Sequence, residues 1–246
     1  MKIAWTIAIK DIREAFHNKT VYLYIAILLF ISFPYLESLR SSLTNLEGQG
    51  ADRAAMISNA QSFLKNTIST LPLTLSMLFC TYLSAYAIVL EKAKRTLESL
   101  LATPASLRQV WIGKSLAIAL PSIAVTYLAM IVMVVISNYT IIIPKLDAFI
   151  FPGFIPIITG FLVVPLVAFS VVCIVSILQL TMTNPRLANM VFMIVFFGFY
   201  FMTVSGFSST WDFSLIYLVI LAVLVVVALG MMRFLTKERV VLSSKG

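Results

Sequence analysis

The sequence EKAKRTLESLLATPASLRQVWIGK, residues 91–114, decides how the rest of the chain is read. It carries seven of the 28 formal charges (18 Lys and Arg, 10 Asp and Glu), yet it lies between two segments, 66–90 and 115–144, that contain none. A charge at the centre of a bilayer costs about 2.5–3.5 kcal/mol or more, so charge-free runs of this length suit lipid and the charged island between them suits water.

The whole composition agrees. Of 246 residues, 61% are hydrophobic and 11% charged, against about 25% charged in a typical soluble domain. Apolar segments recur along the full length, so a single membrane domain, 1–246, is expected. A helix needs about 20 apolar residues to cross the hydrocarbon, and the charge gaps define six such spans: 20–36, 68–90, 115–137, 155–181, 187–207 and 213–232. Pro152, Gly153 and Pro156 mark a bend before the fourth span, and Pro165 is placed to kink it. Asn184 followed by Pro185 reads as an N-cap and first-turn proline opening the fifth. The expected fold class is an all-α integral membrane protein with an N-terminal interfacial helix and six transmembrane helices.

The cations choose a side. Six spans put residues 1–19, 91–114, 181–186 and 233–246 together, and these hold 14 of the 18 Lys and Arg. The other side has Arg40, Arg53, Lys65 and Lys145, while the carboxylates divide five and five. A bias in cations but not anions is the positive-inside pattern, so both termini and the island are expected in the cytoplasm. The net charge of +8 then needs no nucleic acid. Trp5, Trp111, Trp211, Tyr35 and Tyr139 fall at expected water–lipid boundaries, as an aromatic belt would.

Several smaller features follow. Residues 1–19 set Ile3, Ile7, Ile9, Ile12 and Phe16 against Lys2, Lys10, Asp11, Arg13 and Glu14, the pattern of a helix lying in the interface with a solvated ionic face. His17, the single histidine, has no partner motif. The outer loop 37–66 reads as polar around Gly48-Gln49-Gly50, then as a short amphipathic helix over Met56, Ile57, Ala60, Phe63 and Leu64 that feeds the second span. Cys80 and Cys173 read as small core residues. Asn138-Tyr139-Thr140 fits a glycosylation sequon.

Within the island, Ala93, Leu97, Leu100 and Leu101 recur at i, i+4, i+7 and i+8 among Lys92, Lys94, Arg95 and Glu98. The helix stops near Thr103-Pro104, because proline disfavours helical geometry in the preceding residue. Ser106 and Gln109 match a capping box. Periodicity fits equally a helix gripped by another protein and one lying flat on headgroups.

Glu91, the run Arg95-Thr96-Leu97-Glu98-Ser99-Leu100-Leu101, Thr103-Pro104 and Gly113-Lys114 resemble the segment between spans two and three of ABC type-2 exporter permeases. Thr183-Asn184-Pro185-Arg186-Leu187-Ala188 is similar to that family's loop between spans four and five. The resemblance implies a second permease subunit, most simply an identical one, and a pair of ABC ATPase subunits that carry ATP and Mg, with no cofactor on this chain. It implies that 91–104 is a coupling helix, with Leu97, Leu100 and Leu101 filling a groove on the ATPase, Glu91, Arg95 and Glu98 fixing its register, and Thr103 and Pro104 ending it. It also implies a pathway bordered by spans one, two and five, for which Ser69, Thr70, Thr74, Ser76, Thr203 and Ser205 are the polar candidates. Such residues often bond their own helix instead. The short interval between spans five and six leaves little room for the re-entrant helices the family often has there.

The chain offers no energy source of its own. The Gly113-Lys114-Ser115 triplet lacks the earlier glycine of a phosphate loop, since Arg108 stands there. None of the six spans holds Asp, Glu, Lys, Arg or His, so neither a proton relay nor a catalytic set is in place at bilayer depth. The expectation is a non-enzymatic permease in the plasma membrane, driven by a separate ATPase and moving hydrophobic or amphipathic cargo. The rival is an anchor that holds a cytoplasmic ATPase without transporting.

Overall fold

The computed structural model describes residues 2–94, 96, 105–204, 213–236 and 240, and every described helix packs against others without a strand. In chain order the helices are α1 Lys2–His17, α2 Thr20–Ile31, α3 Phe33–Gly48, α4 Arg53–Ala93, α5 Leu107–Leu146, α6 Phe154–Thr181, α7 Pro185–Val204 and α8 Phe213–Met231. Four helical stretches are long and apolar enough to cross a membrane: Thr20–Gly48, α4, α5 and α6. Together with the shorter apolar helices α7 and α8 they make an all-α, multi-pass membrane protein.

The core is built around α4. Leu71, Leu73, Leu75, Met77 and Phe79, at alternate positions, are all buried, so no face of this stretch is free; α5, α6 and α7 surround it. A helix apolar all round belongs in such a position. Its Ser and Thr side chains satisfy themselves on their own carbonyls one turn back, as Thr70 does on Asn66 (2.9 Å) and Thr74 on Thr70 (2.9 Å).

Prolines shape the shafts. Pro165 lacks the N–H that would bond the Phe161 carbonyl, and the hydroxyl of Tyr127 on α5 donates to that carbonyl instead. The turn before it, Thr159–Val163, is π-helical, so the regular ladder changes just ahead of the proline expected to kink this helix. Pro72 likewise frees the Ile68 carbonyl, and Gly160 of α6 packs there; a Cβ at Gly160 would stand 2.7 Å from that oxygen.

At 41 and 40 residues, α4 and α5 are each about 60 Å long at 1.5 Å per residue, twice the roughly 30 Å of hydrocarbon. Their surplus length forms a distal cap with α3. Leu39 and Leu43 pack there on Met56, Ala60 and Leu64, and on Ile141, Ile142, Leu146 and Ile150.

This region corrects the sequence reading. Residues 33–48 form a full helix with Pro34 in its first turn, where a first span to 36 and then a polar loop were expected, and a tight turn through Gly50 (φ +69°) joins it to α4. The amphipathic stretch over Met56–Leu64 is present as the first turns of α4. Asn138 is fully buried, its amide donating to the Val134 carbonyl (3.0 Å) and accepting from the Ile150 N–H (2.8 Å); the sequon is a structural clip with no free amide.

The aromatic belt is corrected at two positions as well. Trp111 is buried and donates through Nε1 to the Cys173 carbonyl at 3.1 Å, and Tyr35 is buried in the core. Trp5 and Tyr139 are exposed; Trp211 lies outside the described residues.

Candidate functional site

The polar chemistry of the chain gathers at the end opposite the cap, the basal end. It begins with the start of α5. Ser106 and Gln109 form the expected capping box, each side chain bonded to the other's backbone N–H (3.3 and 3.0 Å), which fixes where α5 begins and hence which way Lys114 points. Gly113 then lets α1 approach closely: a Cβ there would stand 2.8 Å from the Ala4 carbonyl oxygen.

The face that α1 turns to the bundle is Ala4, Ile7, Ala8, Asp11 and Ala15. Small residues dominate it because the crossing is tight, while Ile3, Trp5 and Ile9 face outward. The sequence placed Asp11 on the solvated ionic face; the close crossing at Gly113 turns it inward beside Ile7 instead.

Asp11 therefore meets Lys114 inside the protein. The Lys114 ammonium lies 2.7 Å from Asp11 Oδ2 and 2.6 Å from Glu91 Oε2. The lysine side chain is 1% exposed and the aspartate 5%. Two carboxylates thus share one ammonium, leaving one net negative charge in a largely desolvated place. Burial pushes the Asp11 carboxyl above the usual carboxylate range; Lys114 opposes that rise and Glu91 adds to it. A cavity of about 180 Å³ opens beside the triad, lined by Lys10, Asp11, Glu14, Tyr86, Glu91 and Lys94 among others.

Lys92, one residue on, points elsewhere, as the 3.6-residue turn requires. It is buried, and its ammonium donates to the carbonyls of Gln179 (3.2 Å), Leu180 (3.3 Å) and Met182. These lie at the C-terminal end of α6, where helix carbonyls lack intrahelical donors and a cation is favoured. The Gln179 side chain in turn donates to Asn189 Oδ1 on α7, and Ser84 Oγ of α4 reaches the same oxygen at 3.0 Å. A continuous polar belt so crosses the basal ends of α1, α4, α5, α6 and α7. Among the described residues no His, Cys, Asp or Glu cluster has the make-up of a metal site.

The chain matches the family of ABC-2 family transporter proteins over residues 5–211. It belongs to that family. The chain is accordingly a permease subunit of an ABC transporter, a membrane transport component rather than a catalyst, and membership implies association with an ABC ATPase. No curated protein matches it.

For an ABC-2 transporter protein the 91–104 stretch is of first interest. Glu91 sits in the buried triad, with its side chain 19% exposed, and its carbonyl accepts from the Thr96 hydroxyl (3.2 Å). Arg95, Leu97, Glu98, Leu100, Leu101, Thr103 and Pro104 lie outside the described residues. Of the polar pathway candidates, Ser69, Thr70, Thr74 and Ser76 are buried and each donates to a carbonyl of α4 itself. Thr203 falls on α7 with its side chain outside the described set, and Ser205 lies outside it altogether. Asn184 caps α7 as expected, accepting from the Arg186 N–H at 3.2 Å.

Sequence reasoning missed Asp11, Lys92, Lys114, Gln179 and Asn189 as a group. Asp11 carried a readable signal, lying seven residues after Ala4 and four after Ile7, on their helical face. Lys114 was weighed as part of a nucleotide-loop triplet and of the family-like Gly113-Lys114 pair, with no partner assigned to its charge.

Proposed function

We propose that this ABC-2 transporter protein is the membrane half of an ATP-driven exporter in the plasma membrane. It spans the bilayer six times, with both termini and the 91–114 stretch in the cytoplasm. Two copies pair, and two ATPase subunits, which bind the ATP and Mg, dock on the coupling helix of 91–104. Leu97, Leu100 and Leu101 fill the ATPase groove, and Arg95 and Glu98 set the register before Thr103 and Pro104 end the helix, while Glu91, held by Lys114, anchors its foot. ATP-driven closure of the ATPases draws the two coupling helices together and turns the permease from inward- to outward-facing.

One observation supports this reading: a large share of the chain's cations collects on the same segments that form the basal polar belt. Lys2, Lys10, Lys92, Lys94, Arg108 and Lys114 all belong to α1 or to the two helix ends around 91–114. The interior above that end is apolar, which fits hydrophobic or amphipathic cargo better than a hydrated ion. The pathway opens between the two copies, beside spans one, two and five. Ser69, Thr70, Thr74, Ser76, Thr203 and Ser205 are its polar groups once the helices separate.

The test is to purify the chain with its ATPase and replace Leu100 by Asp. A charge placed in an apolar groove is expected to abolish co-purification and cargo-stimulated hydrolysis. A complex that still assembles and responds to cargo refutes the docking site. Uptake into inverted vesicles separates a transporter from an anchor, because an anchor hydrolyses ATP without accumulation.

A further inference from the structure

Glu91 and Lys92 are consecutive, oppositely charged and both engaged inside the protein, yet they hold different parts of it. Glu91 binds Lys114 of α5 and, through it, Asp11 of α1. Lys92 binds the carbonyls that end α6, and Gln179 there is bonded to Asn189 of α7. Both stand at the foot of the 91–104 stretch. Immediately before them, Ala85–Leu90 is π-helical, a break in the regular i→i−4 ladder of a kind often found at functional sites. The shaft of α4 above that break is enclosed by α5, α6 and α7.

We infer that Glu91 and Lys92 are positioning residues that divide a displacement of the 91–104 stretch between two arms of the bundle: α1 with α5 through Glu91, and α6 with α7 through Lys92. The physical basis is desolvation. A buried charge cannot leave its partner without a large desolvation cost, so when the helix end turns at the π-helical break, the partners travel with it. Opposite signs on adjacent residues keep the arms distinct, because neither side chain can take the other's partner. The inference rests on the reading that an ATPase docks on 91–104, and it adds the route by which docking reaches the spans.

Hydrogen–deuterium exchange on the complete complex with its ATPase, with and without ATP and vanadate, tests it. In the unsubstituted complex, trapping is expected to change exchange at least threefold in peptides from both 2–17 and 179–189. Glu91→Gln is expected to abolish the nucleotide-dependent change in 2–17 alone, and Lys92→Met that in 179–189 alone. Glu91→Asp and Lys92→Arg should restore the respective responses. A static staple behaves differently: its loss raises exchange equally in both nucleotide states and leaves the difference intact, and that result overturns the inference. So does an equal loss at both arms from either variant. An unsubstituted chain that does not co-purify with an ATPase sinks the docking reading itself, and this proposal with it.

Discussion

The two ends of the molecule each carry a lysine ion pair, and they are built differently. At the distal cap Lys145 meets Glu47 at 2.9 Å, but the side chains are 24% and 62% exposed. At the basal end Lys114 meets two carboxylates at similar distances with 1% exposure of its own side chain. Water screens the first and competes for both partners, so it contributes little. The second is desolvated, and its members depend on one another. The same chemistry therefore decorates one end and constrains the other.

Removing the shared cation strains that contrast most. Lys114→Ala strands Asp11 and Glu91 together without a counter-charge, and an expected loss of about 3–5 kcal/mol should appear as a large fall in the thermal midpoint in detergent. A loss below 1 kcal/mol would mean that water reaches the triad. Next comes the contact that seats it. Gly113→Val pushes a side chain into the Ala4 carbonyl at 2.8 Å and Ile7 at 3.0 Å, and overpacking of this kind costs roughly 1–3 kcal/mol. Limited proteolysis should then release α1 first, with the distal cap intact.

The raised Asp11 pKa sharpens the comparison through pH. A carboxyl whose folded pKa exceeds its unfolded value stabilises the fold fully below the unfolded value, and that contribution is lost as pH rises through the folded one. Stability should accordingly decline with rising pH across the window between the ordinary carboxylate value and the raised one. Asp11→Asn should flatten that part of the pH–stability curve. The smallest effect is expected at the other end, where Lys145→Ala should cost under about 1 kcal/mol in the same midpoint measurement. A larger cost would show that the cap leans on this pair.

Much of the architecture was legible because its signals are local. The capping box at Ser106 and Gln109, the cap at Asn184 and the amphipathic turns over Met56–Leu64 depend on residues within a few positions of each other, and all are found. Pro165 announced a break, but the Tyr127 hydroxyl that satisfies the freed carbonyl comes from another helix. Asn138 read as a sequon because a triplet cannot reveal that Ile150 folds back onto its amide. Trp111 read as a belt residue because hydropathy cannot tell a lipid face from a buried one.

By itself the sequence determined that this chain lives in a membrane, how its apolar runs divide and where its charge excess gathers, since hydration cost is set by residue type alone. Only the packed structure decided which charges are dry, which helix is enclosed and which of two adjacent residues holds which neighbour. Those depend on how close helices approach. A missing Cβ at Gly113 settles that approach for Asp11, which meets Lys114 from 103 positions away along the chain, while Glu91 reaches the same lysine from 23.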